Sequence, residues 1–194
     1  MKTITKSKRK TEYDVLPLIV ERCSPRSMTG EPLSDAELLP LFEAARWAPS
    51  SYNGQPWRFI VGRRQNGAQW EQFTGLLVPN NAWAKKAGAL VVILSRKLFE
   101  RDGRPSRTHA FDAGAAWENL ALEAARRGLV AHGMEGFDYD RARTELAVPD
   151  EFEIMAMAAI GKRAPSEEEP NDRRPLKEII FEGKYGAGLT IKRA

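Results

Sequence analysis

Two arginines and a serine, Arg22, Ser24 and Arg26, alternate along the stretch RCSPR. In an extended chain such alternating residues share one side, so two guanidiniums and a hydroxyl face the same way. Forked arginine donors suit phosphate or carboxylate, and the pattern reads either as an anion-binding strip or as a solvated basic turn. A second stretch, PSSYNGQPW from Pro49 to Trp57, stands between a helical pattern and a strand-like run. Its two prolines fix φ at both ends, Asn53-Gly54 permits a tight reversal, and Ser50, Ser51, Asn53 and Gln55 carry short donors and acceptors. It fits a plain helix-to-strand turn, or a loop that holds a polar, planar ligand. A third stretch, HGMEGFD, puts Met134, Glu135 and Gly136 at a glycine-punctuated connection, where a main chain without a Cβ can come close to something else.

Other chemistries find no support. The sequence contains neither Gly-x-Gly-x-x-Gly nor Gly-x-x-x-x-Gly-Lys, so the common phosphate-cradling loops are missing. Gly-x-Ser-x-Gly is absent, and His109 and His132 lack the close spacing of a helical zinc pair. The lone cysteine, Cys23, reads as a small hydrophobe rather than a nucleophile, and it excludes an internal disulfide framework. That suits a reducing compartment, and a cytoplasmic location is expected.

The net charge of +4 is concentrated at one end. Residues 1–11 hold five Lys or Arg and no acid; without them 25 basic residues face 26 acidic ones. Such an arm could attract nucleic acid or an anionic membrane, but a run of charge with so little apolar content is expected to stay solvated and disordered. Neither nucleic acid nor membrane is expected as a partner. The longest apolar run, Ala87 to Leu94, is far too short to span a bilayer, and no secretory signal is read at the N-terminus.

The elements that must position these stretches follow from periodicity. Ser34-Asp35-Ala36-Glu37 has the form of a capping box, and Leu38, Leu41, Phe42, Ala45 and Ala48 continue at helical spacing, predicting a helix over 34–48. Residues 58–63, 89–95 and 152–160 read as strands, 67–77 as a helix, 80–86 as a short helical turn and 130–137 as extended. The longest helix is expected over 108–127, rich in alanine and closed by Gly128. Its small residues, Gly114 among them, suit close packing, inside the subunit or between subunits. A helix of about ten residues is expected to start at Asp138 and end near Pro149, and one or two helical turns to fall within 175–181.

In order along the chain, RCSPR, LFEAARWAPSSYNGQPWRFIV, NNAWAKKAGALVVI, DAGAAWENLALEAARRGLVAHGMEGFD, IGKR and RRPLKEIIFEGKYG resemble the nitroreductase family of FMN-dependent oxidoreductases over about residues 15–186. Cys23 departs from the pattern, standing where many members have a second basic residue. The resemblance implies an α+β fold, a central mainly antiparallel sheet flanked by helices, in an intertwined homodimer with FMN at the subunit interface. It divides the chain into a basic arm over 1–11, an FMN-binding domain over 12–186 and a tail over 187–194.

By that resemblance, Arg22, Ser24, Arg26 and Arg173 face the cofactor's phosphate, ribityl chain and pyrimidine edge, with Arg174 the alternative to Arg173. Pro49, Ser50, Ser51 and Asn53 approach from the other subunit, and Gln55 reinforces the loop or touches the flavin. Asn80, or Asn81 in its place, lies near the pyrimidine edge. At the Met134-Glu135-Gly136 turn, the N–H groups of Glu135 and Gly136 point at the flavin's N5 and O4. Trp57 is structural, and no side-chain acid or base is required. The activity implied is hydride transfer from NADH or NADPH through FMN to an electron-poor small molecule, a nitroaromatic or a quinone, with ping-pong kinetics. Reductive dehalogenation, oxidation of a specific metabolite and non-catalytic redox sensing are the alternatives on the same fold, and residues 99–108 are where a substrate-gripping lid would lie.

Overall fold

A computed structural model of the chain describes residues 9–166, 168 and 170–189. Most of the basic arm expected over 1–11, and the last residues of the tail expected over 187–194, lie outside that range.

Four strands, β1 (Trp57–Arg63), β2 (Ala89–Arg96), β3 (Leu129–Met134) and β4 (Phe152–Lys162), form one sheet in the order β1-β2-β4-β3. Every neighbouring pair is antiparallel. Side chains alternate across a strand, and here both faces are covered. Leu90, Val92, Leu94, Met157 and Ala159 face one cluster with Phe73, Leu76 and Phe137. Ala89, Val91, Ile93, Ala158 and Ile160 face the other, with Leu38, Leu41, Leu120 and Ala124. That double burial explains why the second strand reads as an unbroken apolar run rather than as an alternating one.

Helices α2 (Asp35–Arg46) and α4 (His109–Arg126) cover the second face. The Glu37 carboxylate accepts from the Ser34 N–H at 2.8 Å and from its hydroxyl at 2.9 Å, so the capping box forms as read. Helix α3 (Gly67–Gly75), a 3₁₀ segment over Pro79–Lys86 and helix α5 (Tyr139–Glu145) lie on the first side. Within 175–181, where one or two helical turns were expected, a 3₁₀ turn runs over Leu176–Glu178.

Two details differ from the sequence reading. Helix α5 has 7 residues rather than about ten. It closes in a Schellman arrangement, with Val148 N–H on the Arg143 carbonyl and Ala147 at φ 50°, before Pro149 is reached. A five-residue helix, α1 (Pro17–Glu21), precedes the RCSPR stretch. It is too short to show a helical period and starts at a proline, whose fixed φ suits a first helical position.

Helix α4 buries Asp112, Ala113, Ala116, Leu120, Ala121 and Ala124 against the sheet. Its other side is open: Phe111 is 80% exposed, and a Cβ added at Gly114 would meet nothing within 4 Å. Among the described residues, nothing packs there to offset the cost of that helical glycine, about 1 kcal/mol relative to alanine.

Candidate functional site

Helix α1 ends at Arg22, and the chain then runs extended past the C-terminal half of α4. Arg22 Nε meets Glu118 Oε1 on that helix at 3.1 Å, and its Nη1 lies 3.4 Å from Ser24 Oγ. The Arg26 N–H donates to Glu168 Oε2 at 3.0 Å. Arg22, Ser24 and Arg26 line one cavity of about 530 Å³, together with Cys23, His132, Glu168 and Arg173. Arg173 thus lines the same cavity as Arg22 and Arg26, and Arg174 is not among the lining residues. Arg9 lines it as well. It does not behave as a residue of a loose arm, since its Nη1 donates to the carbonyls of Val20 and Arg22, both at 2.8 Å.

His132, on β3, is a lining residue that spacing arguments passed over. Its Nδ1 lies 3.3 Å from the Pro25 carbonyl, and its ring centroid is 4.5 Å from that of Trp83. Burial pushes its pKa below the ordinary 6.5; Arg26 adds to the push, while hydrogen bonding at the Pro25 and Ser24 carbonyls opposes it. The Arg26 guanidinium sits 5.9 Å from the Trp83 ring.

Trp83 links this cavity to the MEG turn. Its Nε1 donates to Asn81 Oδ1 at 3.2 Å, and Asn81 Nδ2 donates to the Gly136 carbonyl at 2.9 Å. Asn81 is thus turned inward to hold the main chain, while its neighbour Asn80 is exposed. The turn connects a strand to a helix, not two helices. Met134 closes β3 with its side chain in the core, so its main chain is what it can offer a ligand. A Cβ at Gly136 would stand 2.7 Å from Asn81 Nδ2. Among the described residues the Gly136 N–H meets no acceptor.

The PSSYNGQPW loop is a strained object. Tyr52, Asn53 and Gln55 have φ of 51°, 54° and 44°. Asparagine tolerates that region, but for tyrosine and glutamine it costs on the order of 1–2 kcal/mol each. Contacts that hold the loop come from the start of α4. The Asp112 carboxylate, on a residue only 3% exposed, accepts the Ser51 N–H at 3.1 Å, and the Thr108 hydroxyl donates to Ser51 Oγ at 2.7 Å. Ser50 Oγ accepts the Gln55 N–H at 3.1 Å, and Gln55 Nε2 donates to the Asn53 carbonyl at 3.2 Å. Gln55 therefore reinforces the loop. Pro49 is exposed at its start, and Tyr52 stands edge-on to Phe99 with the Arg101 guanidinium 4.3 Å from its ring. Trp57, by contrast, is buried in the core. Asp112 and Thr108 were missed by the sequence reading; the signal available was an acid four residues after a threonine at the start of an alanine-rich helix.

The single chain does not bring the loop and the arginine cavity together. The loop is tied to Thr108 and Asp112, and Arg22 to Glu118. At 1.5 Å and about 100° per helical residue, Asp112 and Glu118 are roughly 9 Å apart along the axis and on different sides of α4. The loop residues do not line the arginine cavity.

The sequence pattern of the Nitroreductase family matches residues 19–162. The chain belongs to the nitroreductase family. A crystal structure described as an oxidoreductase containing FMN superposes with a TM-score of 0.88 at 39% identity, covering 94% of this chain and 98% of that one. A 15.4 kDa protein of Mycolicibacterium smegmatis is 39% identical over 149 residues, 68% of this chain and 99% of its own length. A protein named NADH dehydrogenase from Thermus thermophilus is 28% identical, over 87% of this chain and 95% of its own length. This nitroreductase-family chain thus has the α+β fold that its motifs implied, and among its described residues no helix is long and apolar enough to cross a membrane.

Proposed function

We propose that the protein is an FMN-dependent oxidoreductase that takes hydride from NADH or NADPH and passes it to an electron-poor small molecule such as a nitroaromatic or quinone. The observation that carries this reading is the convergence of Arg22, Arg26 and Arg173, from chain ends far apart in sequence, on one cavity with the Ser24 hydroxyl. That donor set fits a phosphate monoester, because guanidinium forks match its oxygens in geometry and charge. At the same turn the Gly136 N–H, which meets no acceptor among the described residues, is available to the edge of a flat ring.

Bound FMN would supply reversible two-electron hydride chemistry, which no side chain here can provide. The chain's own part is to hold and to tune. Arg22, Ser24 and Arg173 would anchor the phosphate end, and Arg26, reaching toward the pyrimidine edge, would favour an anionic ring. The N–H groups of Glu135 and Gly136 serve the ring edge, with Asn80 exposed beside them and Asn81 fixing the turn. Pro49, Ser50, Ser51, Asn53 and Gln55 belong to a loop that one chain keeps away from its own arginine cavity, which favours a homodimer with each site built from two protomers. The open face of α4 at Phe111 and Gly114 suits that interface. NAD(P)H and acceptor would share one binding place in turn, and ping-pong kinetics are the expected signature.

The test is an absorbance spectrum of the purified full chain, before and after anaerobic NADH or NADPH. Oxidised-flavin bands that bleach with pyridine nucleotide and return with a nitroaromatic or quinone support the reading. A colourless protein that takes up no added FMN overturns it.

A further inference from the structure

We propose that Arg9 and Glu12, which precede the family-matched region, are positioning residues of the cofactor-phosphate site and act by fixing Arg173. The inference rests on the FMN reading above.

Arg173 lies on an irregular connector with no strand or α-helix to hold it. Among the described residues, its own Nη1 reaches the local carbonyls of Asn171 and Asp172, at 3.2 and 3.0 Å. The connector is gripped on both sides of it by one short N-terminal segment. Arg9 Nε donates to the Asn171 carbonyl at 2.9 Å, and the Glu12 carboxylate accepts the Leu176 N–H at 2.9 Å. The same Arg9 guanidinium donates through Nη1 to the carbonyls of Val20 and Arg22. One planar fork thus joins the segment carrying Arg22 to the segment carrying Arg173, and a distance between two phosphate-binding cations is set by it. Three carbonyl acceptors in fixed directions suit a guanidinium and not an ammonium. The part of the basic arm nearest the domain is thereby built into the site.

The experiment titrates the full chain, freed of bound flavin, with FMN and with riboflavin, which lacks the phosphate. Arg9→Ala, Arg9→Lys and Glu12→Ala are each expected to weaken FMN binding about five- to twentyfold, the scale of one charge-assisted contact, and to leave riboflavin binding within about twofold of wild type. Glu12→Gln, which keeps an acceptor for the Leu176 N–H, is expected to bind FMN like wild type. In an Arg173→Ala background, adding Arg9→Ala is expected to change FMN affinity by less than about twofold, since a positioning residue has nothing left to position. The inference is overturned if Arg9→Ala binds FMN normally, if FMN and riboflavin weaken together, or if the full Arg9 effect persists without Arg173. A wild-type chain that binds FMN while the variants match it sinks this inference alone; a wild-type chain that binds neither flavin sinks the FMN reading with it.

Discussion

The Asn81 side-chain amide donates to the Gly136 carbonyl at 2.9 Å, and a Cβ placed on residue 136 would stand 2.7 Å from that same nitrogen. The turn is therefore closed to any larger residue unless Asn81 leaves, and Asn81 is held in turn by Trp83. Gly136→Ala is expected to destabilise the fold by about 1–3 kcal/mol, through overpacking and a lost buried hydrogen bond. A lowered urea midpoint at unchanged slope reports it. In the Gly136→Ala/Asn81→Ala double variant, the cost should fall short of the sum of the single costs by about 1 kcal/mol. Strict additivity would mean the two residues do not compete for this space.

Phe111 projects from the open side of α4, 80% exposed, near Gly114, which nothing among the described residues packs against. On the homodimer reading proposed above, this open face is where the second chain would pack. Phe111→Asp is expected to shift the protein from dimer to monomer in sedimentation velocity and to weaken FMN binding with it. A variant that stays dimeric and keeps its flavin would place the interface elsewhere.

His132 gives the stability a pH dependence on the acid side. Burial holds its pKa below 6.5, so the unfolded chain binds a proton more readily than the folded one. Its contribution is complete above about pH 6.5 and is lost as the pH falls through the depressed folded value. Arg26 opposes protonation, while Glu168 and hydrogen bonding at the Pro25 and Ser24 carbonyls favour it. In chemical denaturation series from pH 7.5 downward, His132→Asn is expected to flatten the loss of stability just below pH 6.5 relative to wild type. Identical slopes would show that this imidazole does not titrate differently on folding.

Ala147 occupies the left-handed position that ends α5, at φ 50°, exposed to solvent. Glycine is the residue that adopts this conformation without a Cβ clash. Ala147→Gly is expected to stabilise the protein by about 0.5–1 kcal/mol, read in the same urea titration. A neutral or negative effect would mean that the alanine's rigidity in the unfolded chain outweighs its strain in the folded one.

The parts of this molecule that sequence reasoning reached are those where chemistry is local. The Ser34/Glu37 box, the apolar core strand β2, the alanine-rich α4 and the strained PSSYNGQPW loop all announce themselves within a few residues. The arginines 22, 26 and 173 were nameable from motif order, although their meeting in one cavity depends on the tertiary path of the connector. What escaped notice is what depends on distant partners. Arg9 looked like one more charge in a basic run, because its acceptors are main-chain carbonyls with no sequence signature. His132 was weighed only as a metal ligand, while its ring packs at a tilt against Trp83, 49 residues earlier. Asp112 reads as a helix residue, and only the fold brings the loop at Ser51 onto it. Asn80 and Asn81 are adjacent and chemically identical, so nothing short of the turn's geometry separates the one that braces Gly136 from the one left exposed.

The contact between the segment at Arg9–Glu12 and the connector at Asn171–Leu176 has a bearing on how the protein is made. A ribosome delivers the two partners 162 and 164 residues apart, the N-terminal one first. The sheet and both of its helical layers can be complete while the anion cavity still lacks one wall. On the FMN reading, capture of the cofactor's phosphate would therefore be a late event of biogenesis, and a chain cut short ahead of residue 171 would lack the connector that brings Arg173 to the cavity.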